Sequence, residues 1–176
     1  MLTSALTIAG FDGSGGAGLQ ADLKIFSALG CYGMSVLTAL PIQNTCGVRN
    51  CFNLPLAAIE EQLDAIFSDI TPNVIKIGML FNQEIVHLVA EFLSQHAQNI
   101  PIVLDPVMVA KSGDYLLLPE AIETLKQELI PQVTLITPNI NEAQALSNMK
   151  IKTPNDMLKS AEIIHKIGGI NVLLKG

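Results

Sequence analysis

The sequence predicts an α/β fold: a mostly parallel central sheet with helices packed against it. Three observations carry that expectation. Short apolar runs alternate with segments of helical spacing along the whole chain. Of the 176 residues, 49% are hydrophobic and 15% charged, which suits strands buried on both faces. Polar residues collect just after the apolar runs, where open parallel sheets place their ligands.

The first strand is expected over Ala5 to Ala9. A turn from Gly10 to Asp22 follows, with five glycines between Gly10 and Gly18 and two acids, Asp12 and Asp22. Glycines allow positive φ and close approach of a ligand to the main chain, and the next helix points free N–H groups back at the turn. That helix, Ala17 to Leu29, puts Leu19, Leu23, Phe26 and Leu29 on one face and stops at Gly30. A second strand is predicted over Met34 to Leu40, then a polar, irregular connection from Pro41 to Asn53.

Pro55 opens a second helix with Leu56, Ile59, Leu63, Ile66 and Phe67 on its inner face. Val74 to Ile77 is a third strand. Asn82 caps a third helix running to about Gln95, with Ile85, Leu88, Val89 and Phe92 inward. Ile102 to Leu104 is a fourth strand. Pro119 to Leu129 forms a helix, Val133 to Ile136 a fifth strand, and about Asn141 to Leu146 a short helix. Thr153 caps a last helix to about Ile167, and Val172 to Leu174 is the last strand. The chain reads as a single domain over residues 1–176, without linker or internal repeat.

Net charge is −6, and the ten basic residues are scattered, so duplex nucleic acid is not an expected partner. Cys31, Cys46 and Cys51 lack metal-ligand spacing and read as reduced thiols of a cytosolic protein. No basic region precedes the first apolar run, so no signal peptide is expected. Ile25 to Val48 carries no charge at all, but Gly30, Gly33, Pro41, Gln43 and Asn44 interrupt it; a buried strand between turns explains it better than a membrane span. His87, His96 and His165 match no metal motif and are expected at the surface.

Gly13-x-Gly15-x-x-Gly18 has the form of a dinucleotide fingerprint. That motif also needs an acid at the end of the second strand, and the first acid after Asp22 is Glu60. Leu19 stands where a phosphate-binding lysine would follow Gly18. The turn is therefore expected to bind something other than a pyrophosphate. A second constellation joins Asp105 with Asn139 and Glu142 at strand ends that should be neighbours. Two carboxylates and an amide are hard oxygen ligands that suit Mg²⁺. Alone, Asn139 and Glu142 read more often as a helix cap with an acid in the first turn; their pairing with Asp105 and Lys175 favours the metal role. Lys111 and Lys175 lie at the same end of the sheet.

Several blocks carry a resemblance: Ala5 to Lys24, Phe26 to Gly30, Tyr32 to Val36, Gln43 to Thr45, Phe67 to Asp69, Lys76 to Met79, Leu104 to Asp114, Leu135 to Asn139 and Leu174 to Gly176. Together they resemble the hydroxymethylpyrimidine/phosphomethylpyrimidine kinases of thiamine biosynthesis, in the ribokinase-like superfamily. The resemblance implies a three-layer ribokinase-like fold, ATP and Mg²⁺ as cofactors, a cytoplasmic enzyme and a homo-oligomer, a dimer in the family. The implied reaction moves the ATP γ-phosphate to 4-amino-5-hydroxymethyl-2-methylpyrimidine, then to its monophosphate. By the same resemblance Asp22 and Gln43 hydrogen-bond the aminopyrimidine, and Gly10 and Met79 line its pocket. Asp105, Asn139 and Glu142 hold Mg²⁺, and Lys175 approaches the nucleotide phosphates. Phe11 and Gly13 stand where the family has Ser or Thr and Pro. Family members also continue past the position of Gly176 into a Gly-Thr-Gly-Cys motif that supplies the anion hole and base. The resemblance thus implies a chain lacking the family's C-terminal third, with no catalytic residue of that motif, little kinase activity on its own, and apolar surface left uncovered. The alternatives are an inactive remnant that binds a pyrimidine or serves as a subunit partner, and a nucleotide-binding module of another α/β class.

Overall fold

A computed structural model describes residues 2–44, 46–109, 116–168 and 170–176. The strands are β1 (Ser4–Ala9), β2 (Tyr32–Leu37), β3 (Ala39–Asn44), β4 (Gly47–Asn53), β5 (Val74–Ile77), β6 (Ile102–Leu104), β7 (Leu135–Ile136) and β8 (Asn171–Val172). The helices are α1 (Gly18–Ala28), α2 (Leu56–Phe67), α3 (Gln83–His96), α4 (Ala121–Thr124), α5 (Ile140–Ser147) and α6 (Pro154–Gly168). Six strands form one sheet in the order β2-β1-β5-β6-β7-β8, and every adjacent pair is parallel. All six residues of β1 are buried, so helices cover both faces of the sheet there. Leu6, Ile8, Ile75, Ile77, Ile102, Leu104 and Ile136 are fully buried or nearly so and form the row on one face. Each such side chain contributes about 1.5–3 kcal/mol on leaving water.

Most elements lie where the periodicity places them. The second strand does not run from Met34 to Leu40. It ends at Leu37, and Thr38 breaks away, donating its N–H to Ala9 O (3.0 Å) and its hydroxyl to Met79 O (2.5 Å). The expected irregular connection from Pro41 to Asn53 is instead an antiparallel hairpin, β3 with β4, separate from the main sheet. Its strands are half-buried or exposed at most positions, so no apolar alternation marks them. The register shifts between Ile42 and Gln43, as a bulge would shift it.

The helix expected over Pro119 to Leu129 is regular only as α4. Leu125–Leu129 is a π-turn and Ile130–Gln132 a 3-10 turn. Pro131 has no N–H to continue the ladder. Gln132 compensates, donating its side-chain amide to Glu128 O (2.7 Å) and Ala90 O (3.0 Å). The fifth and last strands are shorter than expected, two residues each, with a further bridge between Asn139 and Lys175. His87, His96 and His165 are exposed. Leu158, Ile163 and Leu173, on α6 and just after β8, are exposed as well. Among the described residues no helix is long and apolar enough to cross a membrane.

Candidate active site at the carboxyl ends of the strands

The turn after β1 is built around Asp12. Its side chain is buried, with 2% of its surface exposed. Oδ1 accepts from the Ser14 N–H (3.0 Å), and Oδ2 from the N–H groups of Gly16 (3.0 Å) and Ala17 (2.8 Å). The Ser14 hydroxyl donates to the same carboxylate. Burial alone would raise the Asp12 carboxyl. Hydrogen bonds from Gln43, Ser14 and Ala17 outweigh it and lower the carboxyl from 3.8 to about 2. Ala17, at the N-cap of α1, makes no side-chain capping bond, so Asp12 caps the helix from five residues upstream. Gly18 follows at φ +57°, and a Cβ there would lie 2.4 Å from Gly10 O. Only glycine lets the Leu19 N–H reach Gly10 O at 3.0 Å. The free N–H groups that suggested an external anion are thus taken by an internal one.

A cavity of about 220 Å³ opens beside this turn. Gly10, Asp22, Gln43 and Met79 line it together, and so does Asp105. They come from the end of β1, from α1, from β3, from the segment after β5 and from the segment after β6. The bulge at Ile42/Gln43 is where the hairpin turns Gln43 to the cavity wall. Met79 packs so closely under Gly10 that a Cβ at Gly10 would meet its sulfur at 2.8 Å. Phe11 is also in the wall. The volume falls below the roughly 300–1,000 Å³ of pockets for drug-sized ligands, so it suits a single-ring molecule.

Lys76, in the wall, and the fully buried Thr7 were not singled out by the sequence. Lys76 Nζ lies 2.8 Å from Asp22 Oδ2, and the Thr7 hydroxyl donates to the same oxygen at 2.6 Å. The one available signal was a lysine interrupting the apolar run Val74 to Ile77, since a charge in a central parallel strand needs a partner.

Asp105, Asn139, Glu142 and Lys175 form a second group, next to the cavity at Asp105. Lys175 Nζ donates to Asp105 Oδ1 at 2.9 Å, and the Asn139–Lys175 bridge brings the two strand ends together. Asn139 and Glu142 form a reciprocal capping box at the start of α5. Burial pushes the Glu142 carboxyl up, against hydrogen bonds from Asn139 and Met108; the nearby Asp105 charge adds to the rise and Lys175 opposes it. A buried carboxylate beside a second one is a corner that a divalent cation would neutralise, and two carboxylates with an amide are the donor set Mg²⁺ takes. Among the described residues no group of three or more His, Cys, Asp or Glu gathers as a metal cluster. Lys111 lies outside the described residues.

The model of the family described as phosphomethylpyrimidine kinase matches residues 12–176. The chain belongs to the phosphomethylpyrimidine kinase family. A hydroxymethylpyrimidine/phosphomethylpyrimidine kinase of Salmonella typhimurium is 53% identical over 175 residues, covering 98% of this chain and 65% of that protein. The crystal structure of a phosphomethylpyrimidine kinase from Clostridium difficile superposes with a TM-score of 0.90 at 48% identity, covering 99% of this chain and 75% of that one. A Staphylococcus aureus pyridoxal kinase in complex with AMP-PCP and pyridoxal superposes with a TM-score of 0.87 at 39% identity, covering 100% and 63%. The fold of the family member described here is therefore ribokinase-like. The chain spans about 65% of the length of the Salmonella relative.

Proposed function

We propose that this chain carries the substrate pocket of an ATP-dependent kinase of thiamine diphosphate biosynthesis. Its substrates are 4-amino-5-hydroxymethyl-2-methylpyrimidine and then the monophosphate of that pyrimidine. The observation that carries this reading is the single cavity that gathers Gly10, Asp22, Gln43 and Met79, with Asp105 on its wall. Asp22 offers acceptors and Gln43 offers both donors and acceptors, which suits the edge of an aminopyrimidine. The 53% identity to a hydroxymethylpyrimidine/phosphomethylpyrimidine kinase, against 39% to a pyridoxal kinase, supports the pyrimidine as substrate.

Lys175 approaches the nucleotide phosphates in this reading, and its pairing with Asp105 holds the ammonium at the sheet end until they arrive. Asp105, Asn139 and Glu142 hold Mg²⁺. Bound there, the cation neutralises charge on the phosphoryl oxygens. The protein acts in the cytoplasm as a single domain and as a homo-oligomer. Incubating the full gene product with ATP, Mg²⁺ and the pyrimidine, and following ADP, tests the reading. Turnover that requires the 5-hydroxymethyl group supports it. Absence of turnover together with absence of pyrimidine binding overturns it.

A further inference from the structure

Thr7 and Lys76 are register partners on the adjacent parallel strands β1 and β5. Their side chains therefore leave the sheet on the same face, and α1 lies over that face at β1. From α1, Asp22 drops onto both. Its Oδ2 accepts from the Thr7 hydroxyl at 2.6 Å and from Lys76 Nζ at 2.8 Å. Thr7 is fully buried, while the Lys76 and Asp22 side chains retain 25% and 19% of their surface. Two residues on from Lys76, Gly78 makes room for this arrangement: a Cβ there would lie 2.8 Å from Lys76 Nζ and 3.1 Å from Ala9 Cβ. The sequence thus places a lysine in a central strand, a glycine beneath its ammonium and a buried hydroxyl across from it.

Both donors take the same oxygen. A carboxylate oxygen has two lone-pair sites, so Oδ2 is saturated. Among the described residues Oδ1 has no protein donor, and Asp22 lines the cavity. A carboxylate held this way presents only acceptor capacity to a ligand. A ring edge with an N–H donor at that position is matched. A ring edge with a carbonyl there brings oxygen against oxygen. The other described charged group on the cavity wall, Asp105, is tied to Lys175.

We propose that Lys76 and Thr7 are positioning residues that lock Asp22 as an acceptor, and that this lock makes the pocket select 4-amino over 4-oxo pyrimidines. The inference rests on the pyrimidine reading of the same cavity. It assigns the discrimination to two residues that do not themselves need to touch the ring.

The test is a calorimetric comparison of 4-amino-5-hydroxymethyl-2-methylpyrimidine with its 4-oxo counterpart, using the unmodified protein, Lys76→Met, Thr7→Val and Lys76→Arg. The unmodified protein is expected to prefer the amino ring by at least about a hundredfold, since a hydrogen-bonding site rejects a ligand that leaves it unpaired. Lys76→Met is expected to cut that ratio by roughly tenfold or more, the size of one lost polar contact. Thr7→Val moves the ratio the same way by less, and Lys76→Arg restores it in part. A merely structural ion pair would weaken both ligands alike and leave the ratio unchanged. An unchanged ratio in folded Lys76→Met, or in Thr7→Val should Lys76→Met not fold, overturns the proposal. If the unmodified protein binds the amino ring but does not discriminate, the proposal alone fails. If it binds neither ring, the pyrimidine reading fails and the proposal with it.

Discussion

Asn139 and Glu142 hold each other across the first turn of α5: the Glu142 N–H donates to Asn139 Oδ1 at 2.9 Å, and the Asn139 N–H donates to Glu142 Oε2 at 2.8 Å. The same two side chains are the proposed Mg²⁺ ligands. Capping and metal binding can be separated by substitution. Glu142→Gln keeps an oxygen for the Asn139 N–H but removes the charge. It is expected to leave the melting temperature nearly unchanged while raising the Mg²⁺ concentration needed for half-maximal activity. Asn139→Ala loses the cap and is expected to cost about 1 kcal/mol of stability as well. Thermal melting and a Mg²⁺ titration of ADP formation, each on the full gene product, check both. Equal Mg²⁺ requirements in Glu142→Gln and the unmodified protein would leave the pair as a cap alone.

Asp12 makes the fold acid-sensitive. Its carboxyl titrates at about 2 in the folded protein against 3.8 ordinarily, so the unfolded chain takes up the proton first. The resulting stability is fully present above pH 4 and is lost as pH falls from about 4 to about 2. It amounts to about 2 kcal/mol. Urea midpoints measured across that range should fall, and Asp12→Asn should flatten that part of the profile. The same substitution at pH 7 removes the charged acceptor from the Gly16 and Ala17 N–H groups and is expected to cost about 2–3 kcal/mol. A variant as stable as the parent at pH 7 would contradict this account of the turn.

Gln43 reaches the cavity from the hairpin, outside the main sheet, and is half-buried. Its truncation should therefore separate binding from folding. Gln43→Ala is expected to weaken pyrimidine binding roughly tenfold and, because its hydrogen bond to Asp12 is lost as well, to cost about 1–2 kcal/mol of stability while leaving the protein folded. Calorimetry and denaturant unfolding on one preparation read both quantities. Loss of folding with intact affinity per folded molecule would reverse the assignment.

His87 on α3 meets Glu128 in the π-turn, with Nδ1 and Oε2 2.6 Å apart. The hydrogen bond to Glu128 and its charge raise the His87 pKa above the ordinary 6.5. The pair's contribution is complete below pH 6.5 and disappears as pH rises through the raised value. The site is exposed, so the effect on overall stability is small. A ring-proton titration by NMR should show the upward shift, and Glu128→Gln should return it to the ordinary range. The same titration curve in both proteins would mean that the contact is not made in solution.

Where one face of an element is buried, its sequence announced it. Val74 to Ile77, Ile102 to Leu104 and the Asn82-capped α3 lie where spacing and cap residues place them, because burial imposes periodicity and caps have few chemical solutions. The hairpin β3–β4 stayed hidden because exposed strands need no apolar alternation. The π-turn at Leu125–Leu129 stayed hidden because its apolar spacing resembles that of an α-helix. Gly10, Asp22, Gln43 and Met79 could be named from the sequence, through resemblance. Lys76 could not be given a role, since its partner is 54 positions away.

By itself the sequence determined the α/β class, the strand–helix order and the acids and amides at the strand ends. Those properties are local: they follow from periodicity, capping and turn chemistry within a few residues. Only the tertiary structure decided that Asp12 fills the turn with its own carboxylate, and that Thr7 and Lys76 close on one oxygen of Asp22. Those facts depend on strand register and on the placement of α1 over the sheet, which long-range packing sets.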